Sequence, residues 1–221
     1  MLALGALALT ERESLASSLV SYSGFEEVAP AIWVDPRMVD ADRRSMLLLL
    51  AAGKARVAKV YGSYRAQPVV IVGSDMTRLA PFTRNRFACT HYFLGGASVV
   101  VGPAGQNIDV VSHELAHAEL FERIGWWQML SNMPTWFDEG LAMQFDERAD
   151  YSEAQYEALV ASGHLTRLES IATGGTFFSA NAKEHYVQVK HDVAERLKRV
   201  GPRAVLELVE QVSEGRRFHD L

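Results

Sequence analysis

The sequence predicts an α+β fold, because strand patterns and one long helix come early and mostly helices follow. Residues 31–35 (AIWVD) and 68–73 (PVVIVG) are short apolar runs that end at Pro or Gly, which is typical of strands. Beyond residue 106 the apolar residues recur mainly at helical spacing. This order indicates a small sheet followed by a mostly helical part.

A long helix is predicted between these two strands, over residues 40–61. Its apolar residues fall near one face, and Gly62 follows as a stop signal. After the second strand, residues 74–90 are expected to be irregular, and two further strand candidates lie within 91–103. Together these elements form the α/β sublobe, with an edge strand, that we predict for residues 1–105 of a single domain.

Residues 106–221 are predicted to form the helical sublobe of the same domain. Its first helix covers about 108–124 and ends at Gly125, and the stretch WWQMLSNMP connects it to a second helix that begins near Pro134. The aromatic residues expected to fill the core around this connection are Trp126, Trp127, Trp136 and Phe137. Helical structure is expected within 152–172, with a break near Gly163, and further helices over 184–200 and 203–214, with a loop at 173–181.

The N-terminal stretch MLALGALALTERESLASSL is interpreted as an amphipathic helix that starts at Thr10. Its apolar run is too short to span a bilayer, and it lacks the basic region of a signal peptide. These features give no firm membrane segment and favour the cytoplasm. A truncated N-terminus would instead allow a periplasmic, secreted or membrane-tethered protein.

Charge and cysteine content exclude several classes of protein. The chain has 22 Lys and Arg against 27 Asp and Glu, a net charge of −5, and no basic cluster, so a nucleic-acid partner is not expected. The single cysteine, Cys89, excludes an internal disulfide framework. His91 nearby could indicate a thiol site, but no partner acid is identifiable and a structural role is expected. No serine-hydrolase elbow or nucleotide-binding glycine motif occurs.

The stretch DVVSHELAHAELFERIG places two histidines and a glutamate as His-Glu-x-x-His in an apolar helix pattern. Residues four apart share one face of a helix, so His113 and His117 can both reach one metal ion. Glu114 lies beside this pair and can approach a water molecule without competing for the metal. Buried polar side chains are costly unless they are satisfied, and a Zn²⁺ ion would satisfy these.

A third ligand is needed, because catalytic zinc sites use three protein ligands. The motif WFDEGLA offers Glu139, and 21 residues separate it from His117, which is enough to end one helix and begin the next. Asp138 is its rival, but it lies about 100° away around the helix and is better placed to support the ligands or face solvent. Gly140 is costly within a helix, and close packing of the two motif helices would explain it.

The pair of motifs HELAH and WFDEGLA resembles the gluzincin metallopeptidases, and most of all their aminopeptidase-N-like and short peptidase-MA-like domains. The resemblance covers roughly residues 90–215. It implies a zincin-like fold, with a small mixed twisted sheet over an active-site helix. It also implies that Zn²⁺ is held by His113, His117 and Glu139, and that Glu114 is the general base.

Similarity to this family extends to the tail HYVQVKHDVAERLKRVG, which implies that Tyr186, or alternatively His185, stabilises the oxyanion of the transition state. The aminopeptidases also carry a glutamate before the metal helix that holds the substrate's free amino group. Here the corresponding region, FLGGASVVVGPAG, has no acid, so aminopeptidase specificity is not implied. Its segment ASVVVG is expected to be the edge strand that pairs with an extended peptide.

The function predicted from these residues is zinc-dependent hydrolysis of peptide bonds in a peptide or protein substrate. In that reaction Glu114 takes a proton from the attacking water and delivers it to the leaving amine. The alternative is a catalytically inactive protein of the same fold that binds a peptide or protein partner without cutting it.

Overall fold

The protein is a mixed α+β structure, as predicted, and its described residues form one five-stranded sheet. A computed structural model describes residues 12–218, with the side chain of Pro202 excepted. The chain divides into two compact units, Met1–Glu122 and Arg123–Leu221. The first unit contains the whole described sheet, and the second is built from helices and short turns.

The sheet is mixed, with strand order β1-β2-β3-β5-β4. Its outer pairs, β1 with β2 and β4 with β5, are antiparallel, while β2, β3 and β5 run parallel. The predicted strands are all present, although β4 begins at Ala88, inside the stretch expected to be irregular, and β1 was not predicted. The strands are β1 Glu26–Ala29, β2 Ile32–Val34, β3 Val69–Val72, β4 Ala88–Phe93 and β5 Gly96–Val101.

The expectation that ASVVVG forms the edge strand is wrong, because β5 lies between β3 and β4. Every residue from Ala97 to Val101 is buried, which is the pattern of an interior strand covered on both faces. In the described sheet the edges are β1 and β4.

Between residue 12 and the metal motif, the first unit has one long helix. Residues 12–18 are helical (α1), in agreement with the predicted N-terminal helix, whereas the predicted start at Thr10 lies outside the described residues. Helix α2, Asp40–Tyr61, has the predicted bounds and ends at Gly62, whose φ of 75° is left-handed. A four-residue helix, α3 (Met76–Leu79), occupies part of the stretch expected to be irregular.

Helix α4, Ile108–Ser131, carries the HELAH motif and is longer than predicted. Gly125 interrupts it with φ 80° and ψ 163°, as the expected stop would, but the chain resumes a helical path directly afterwards. The supposed connection is therefore mostly helical. Trp126 and Trp127 are 36% and 68% exposed, so the prediction that both fill the core is wrong, whereas Trp136 and Phe137 are buried as predicted.

The described part of the second unit contains five further α-helices, and the loop predicted at 173–181 includes one of them. The predicted break near Gly163 is present, with a left-handed φ of 73°. None of the helices among residues 12–218 is both long enough and apolar enough to cross a membrane. These helices are α5 Thr135–Ala142, α6 Glu153–Ser162, α7 Gly174–Phe177, α8 Ala182–Val200 and α9 Pro202–Ser213.

Gly140, on α5, makes its closest approach to α8 and not to the HELAH helix as expected. A Cβ atom at this position would lie 2.5 Å from Cγ2 of Val193 and 2.7 Å from the carbonyl oxygen of Val189. Since the backbone of α8 cannot easily move aside, glycine lets the two helices pack at this distance.

Replacement of Gly140 by alanine is expected to destabilise the protein by about 1–3 kcal/mol, because overpacking outweighs the gain in helix propensity. Urea unfolding of the variant and the parent measures the difference. Gly175→Ala is the matched control, since a Cβ there would meet nothing within 4 Å and the substitution should be neutral or mildly stabilising. Equal stability of Gly140→Ala and the parent would contradict the packing argument.

Candidate metal centre

The start of α4 is fixed by tight contacts in the preceding loop. Gly105 has no room for a Cβ, because the backbone of Phe87 lies directly against it. The side chain of Asn107 then caps the helix, and its Oδ1 accepts a hydrogen bond from the backbone N–H of Val110 at 3.0 Å. The HELAH turn therefore begins from a defined position one and a half turns into the helix.

His113 and His117 lie one turn apart on α4, and both are buried. Their Nε2 atoms are 3.1 Å apart, and their rings are nearly perpendicular, at 80°. Two nitrogens bound to one tetrahedral zinc ion at about 2.0–2.1 Å would be about 3.3 Å apart. The separation of the two imidazoles thus matches one edge of such a coordination sphere.

Glu139, on α5, completes a group of three possible ligands. One carboxylate oxygen of Glu139 and one ring nitrogen from each of His113 and His117 all lie within 4.8 Å of one another, and all three residues are buried. A His₂Glu set is a known catalytic zinc arrangement. The predicted triad could therefore hold one metal ion, and its donor set suits Zn²⁺. Asp138, the rival ligand, is only half-buried and does not belong to the group.

Glu114 is buried next to these ligands but is not part of the triad. The hydroxyl of Thr90, on β4, donates a hydrogen bond to Oε2 of Glu114 at 2.7 Å and lies 3.1 Å from the backbone oxygen of the same residue. The sequence did not predict a role for Thr90, because threonine is common in strands and nothing near it indicates a contact with Glu114.

A second buried carboxylate, Glu119, ties α4 to the loop that follows α2. Its Oε2 accepts hydrogen bonds from the backbone N–H groups of Arg65 and Ala66 at 2.7 and 2.9 Å. Burial raises the pKa of the neighbouring Tyr64 far above its usual range, and the charge of Glu119 adds to this effect. Sequence reasoning also missed this residue, although an acid inside an apolar helical run was a usable signal.

The two candidates for oxyanion stabilisation, Tyr186 and His185, both lie on α8. Tyr186 packs in an aromatic group with Phe177 and Tyr151, at ring distances of 5.1 and 6.0 Å. His185 is buried, and its Nδ1 is 2.7 Å from the carbonyl oxygen of Phe177. Because a carbonyl only accepts, Nδ1 carries a proton, and neutral His185 then has no proton on Nε2 to donate. This hydrogen bond counts against His185 as the donor.

Cys89 and His91, also on β4, are in contact but do not form an activated pair. Sγ donates to Oγ1 of Thr83 at 3.1 Å, and Nε2 of His91 lies 3.3 Å from Sγ and 2.9 Å from the carbonyl oxygen of Phe82. That carbonyl requires the proton on Nε2, so this nitrogen cannot take the thiol proton. An acid that sequence reasoning did not identify, Glu13, lies 4.0 Å from Nε2. A structural role for Cys89 and His91, as expected, is therefore a better interpretation than a reactive thiol site.

Cys89 is expected to react slowly with iodoacetamide in the native protein at pH 8. Burial raises the pKa of the thiol to about 12, and the charge of Glu114 contributes, so that very little thiolate is present. Mass spectrometry after timed labelling measures the rate, with the urea-unfolded protein as the reference. A native rate equal to the unfolded rate would show that the thiol is accessible and ionised.

Comparison of the chain with protein-family models, with curated proteins and with solved structures finds no match.

Proposed function

We propose that this protein is a zinc-dependent peptidase of gluzincin type. The observation that carries the proposal is the buried group formed by His113, His117 and Glu139, whose ligand atoms lie within 4.8 Å of one another. The resemblance of HELAH and WFDEGLA to the gluzincin motifs supports the same assignment. A buried carboxylate beside the triad, Glu114, provides a base for the reaction.

Glu114 carries out the proton transfers in this proposal. Its carboxylate takes a proton from a water molecule as the water oxygen bonds to the scissile carbonyl carbon. The same carboxyl group then gives the proton to the amine nitrogen as the C–N bond breaks, so that the products are an acid and an amine. Zn²⁺ bound by the triad would polarise the carbonyl and acidify water.

Tyr186 is the proposed donor to the oxygen that becomes negatively charged. A phenol carries its own donor proton, whereas His185 has a proton on Nε2 only when it is doubly protonated, because Nδ1 donates to the carbonyl oxygen of Phe177. A donor of this kind commonly contributes about 10²–10³ to the rate. Tyr186→Phe, which keeps the ring in its aromatic group, is the substitution that isolates this hydroxyl.

Protein purified without chelators is expected to contain one Zn²⁺ per chain, measured by mass spectrometry of the metal. Substitution of His113 or His117 by alanine, or of Glu139 by glutamine, should reduce the zinc content sharply, because each removes one of three ligands. His164→Ala is the matched control, since His164 is exposed and lies outside the triad. A metal content that is unaffected by the triad variants would contradict the proposed site.

Glu114→Gln should retain zinc and fold but lose peptide hydrolysis, because an amide cannot accept and return the proton. Digestion of a peptide library by parent and variant, with and without chelator, measures this. Glu122→Gln, an exposed acid on the same helix, is the control and should cleave like the parent. Cleavage by Glu114→Gln at the parent rate would exclude the role of Glu114. A zinc-loaded parent that binds but cuts no peptide would favour the inactive binding protein instead.

A further inference from the structure

The carboxylate of Glu114 has its two oxygens in different environments. Oε2 accepts the hydroxyl proton of Thr90 at 2.7 Å. Within the described residues, Thr90 is the only hydrogen-bond donor to this carboxylate, so Oε1 is left without one. The two oxygens of a free carboxylate are equivalent, and the contact with β4 removes that equivalence.

The hydroxyl of Thr90 has one proton and two possible acceptors on Glu114. The backbone oxygen is farther away, at 3.1 Å, and as part of α4 it is also the acceptor for the helical hydrogen bond. A bond to an ionised carboxylate is shorter and stronger than one to a neutral carbonyl. The proton of Thr90 is therefore directed to Oε2.

The position of Thr90 is fixed by the sheet and not by the side chain alone. Its Cα pairs with that of Val99 on β5, and the next residue on the same face of β4, Tyr92, stacks on Phe121 of α4 at 4.9 Å. This face of β4 is thus held against α4 at two points, two residues apart. A hydroxyl carried by such a strand is held rigidly against the HELAH turn.

We infer that Thr90 is a positioning residue, which holds Oε2 of Glu114 and leaves Oε1 as the atom that takes and returns the proton. The inference rests on the proposed function for the role of Glu114 as base. The contact between Thr90 and Glu114 stands independently of that function. A carboxylate that is held in one orientation presents Oε1 to the attacking water. Alignment of reacting groups contributes strongly to the rates of enzyme reactions.

Thr90→Val and Thr90→Ser separate orientation from structure. Valine keeps the shape and removes the hydroxyl, so kcat should fall about tenfold to a hundredfold while KM and the zinc content stay near those of the parent. Serine keeps the hydroxyl and should restore most of kcat. Thr83→Val is the matched control, because Thr83 is a buried threonine that contacts Cys89 and Asn85 but not Glu114. Its kcat should remain that of the parent.

A double-mutant cycle on the chelator-treated protein tests the contact without any activity. The urea midpoints of Thr90→Val, Glu114→Ala and the double variant should be non-additive, with the double variant less destabilised than the sum of the single ones. Additive shifts would overturn the contact.

A full kcat in Thr90→Val, or failure of serine to restore it, would overturn the positioning role. A parent that cleaves no peptide overturns the proposed function and the proton-carrying role of Oε1, while the cycle still decides the contact.

Discussion

Five polar side chains are buried on α4, at positions 112, 113, 114, 117 and 119, and the partners of its two glutamates constrain the elements around that helix. Such groups are costly away from water unless each has a partner. Glu119 is satisfied by the backbone of the loop after α2, and Glu114 by the hydroxyl of β4. The two histidines face each other at 3.1 Å. The contacts of the two glutamates each tie one neighbouring segment to a particular turn of α4, so the helix organises the first unit as well as carrying two of the three candidate metal ligands.

The parts that depend on local spacing were predictable from the sequence. One turn of helix brings His113 and His117 together whatever surrounds them. Helix α2 ends where expected because its last residue is followed by a left-handed conformation, which glycine adopts most easily. Strands with β-branched apolar runs were equally visible. Strand β1 was not, because Glu26 and Glu27 break the apolar pattern on which such a prediction depends.

The parts that depend on partners distant in the chain were not predictable. Gly140 was expected to pack against the HELAH helix, but its close contacts are with α8, which nothing in the sequence indicated. The order of the strands was not predictable either. The apolar run of β5 indicates that the strand is buried, but it does not indicate which strands lie beside it. Thr90 lies 24 residues from Glu114, and no pattern in either segment predicts their contact. Trp127 was expected in the core because it is aromatic, but it is exposed. Residue type alone therefore does not determine which side of a helix packs against the core.

Side chains on β4 point alternately to its two faces, and the two faces carry different chemical groups. Thr90 and Tyr92 meet α4, whereas Cys89 and His91 meet the segment around Phe82 and Thr83. Because side chains alternate along a strand, a slip of one residue would present a thiol or an imidazole to the glutamate in place of the hydroxyl. The register of β4 is therefore constrained, and the two-residue turn that joins Phe93 to Gly96 of β5 sets it. A single inserted or deleted residue that shifted β4 would exchange the group facing Glu114 without changing any residue of the HELAH motif.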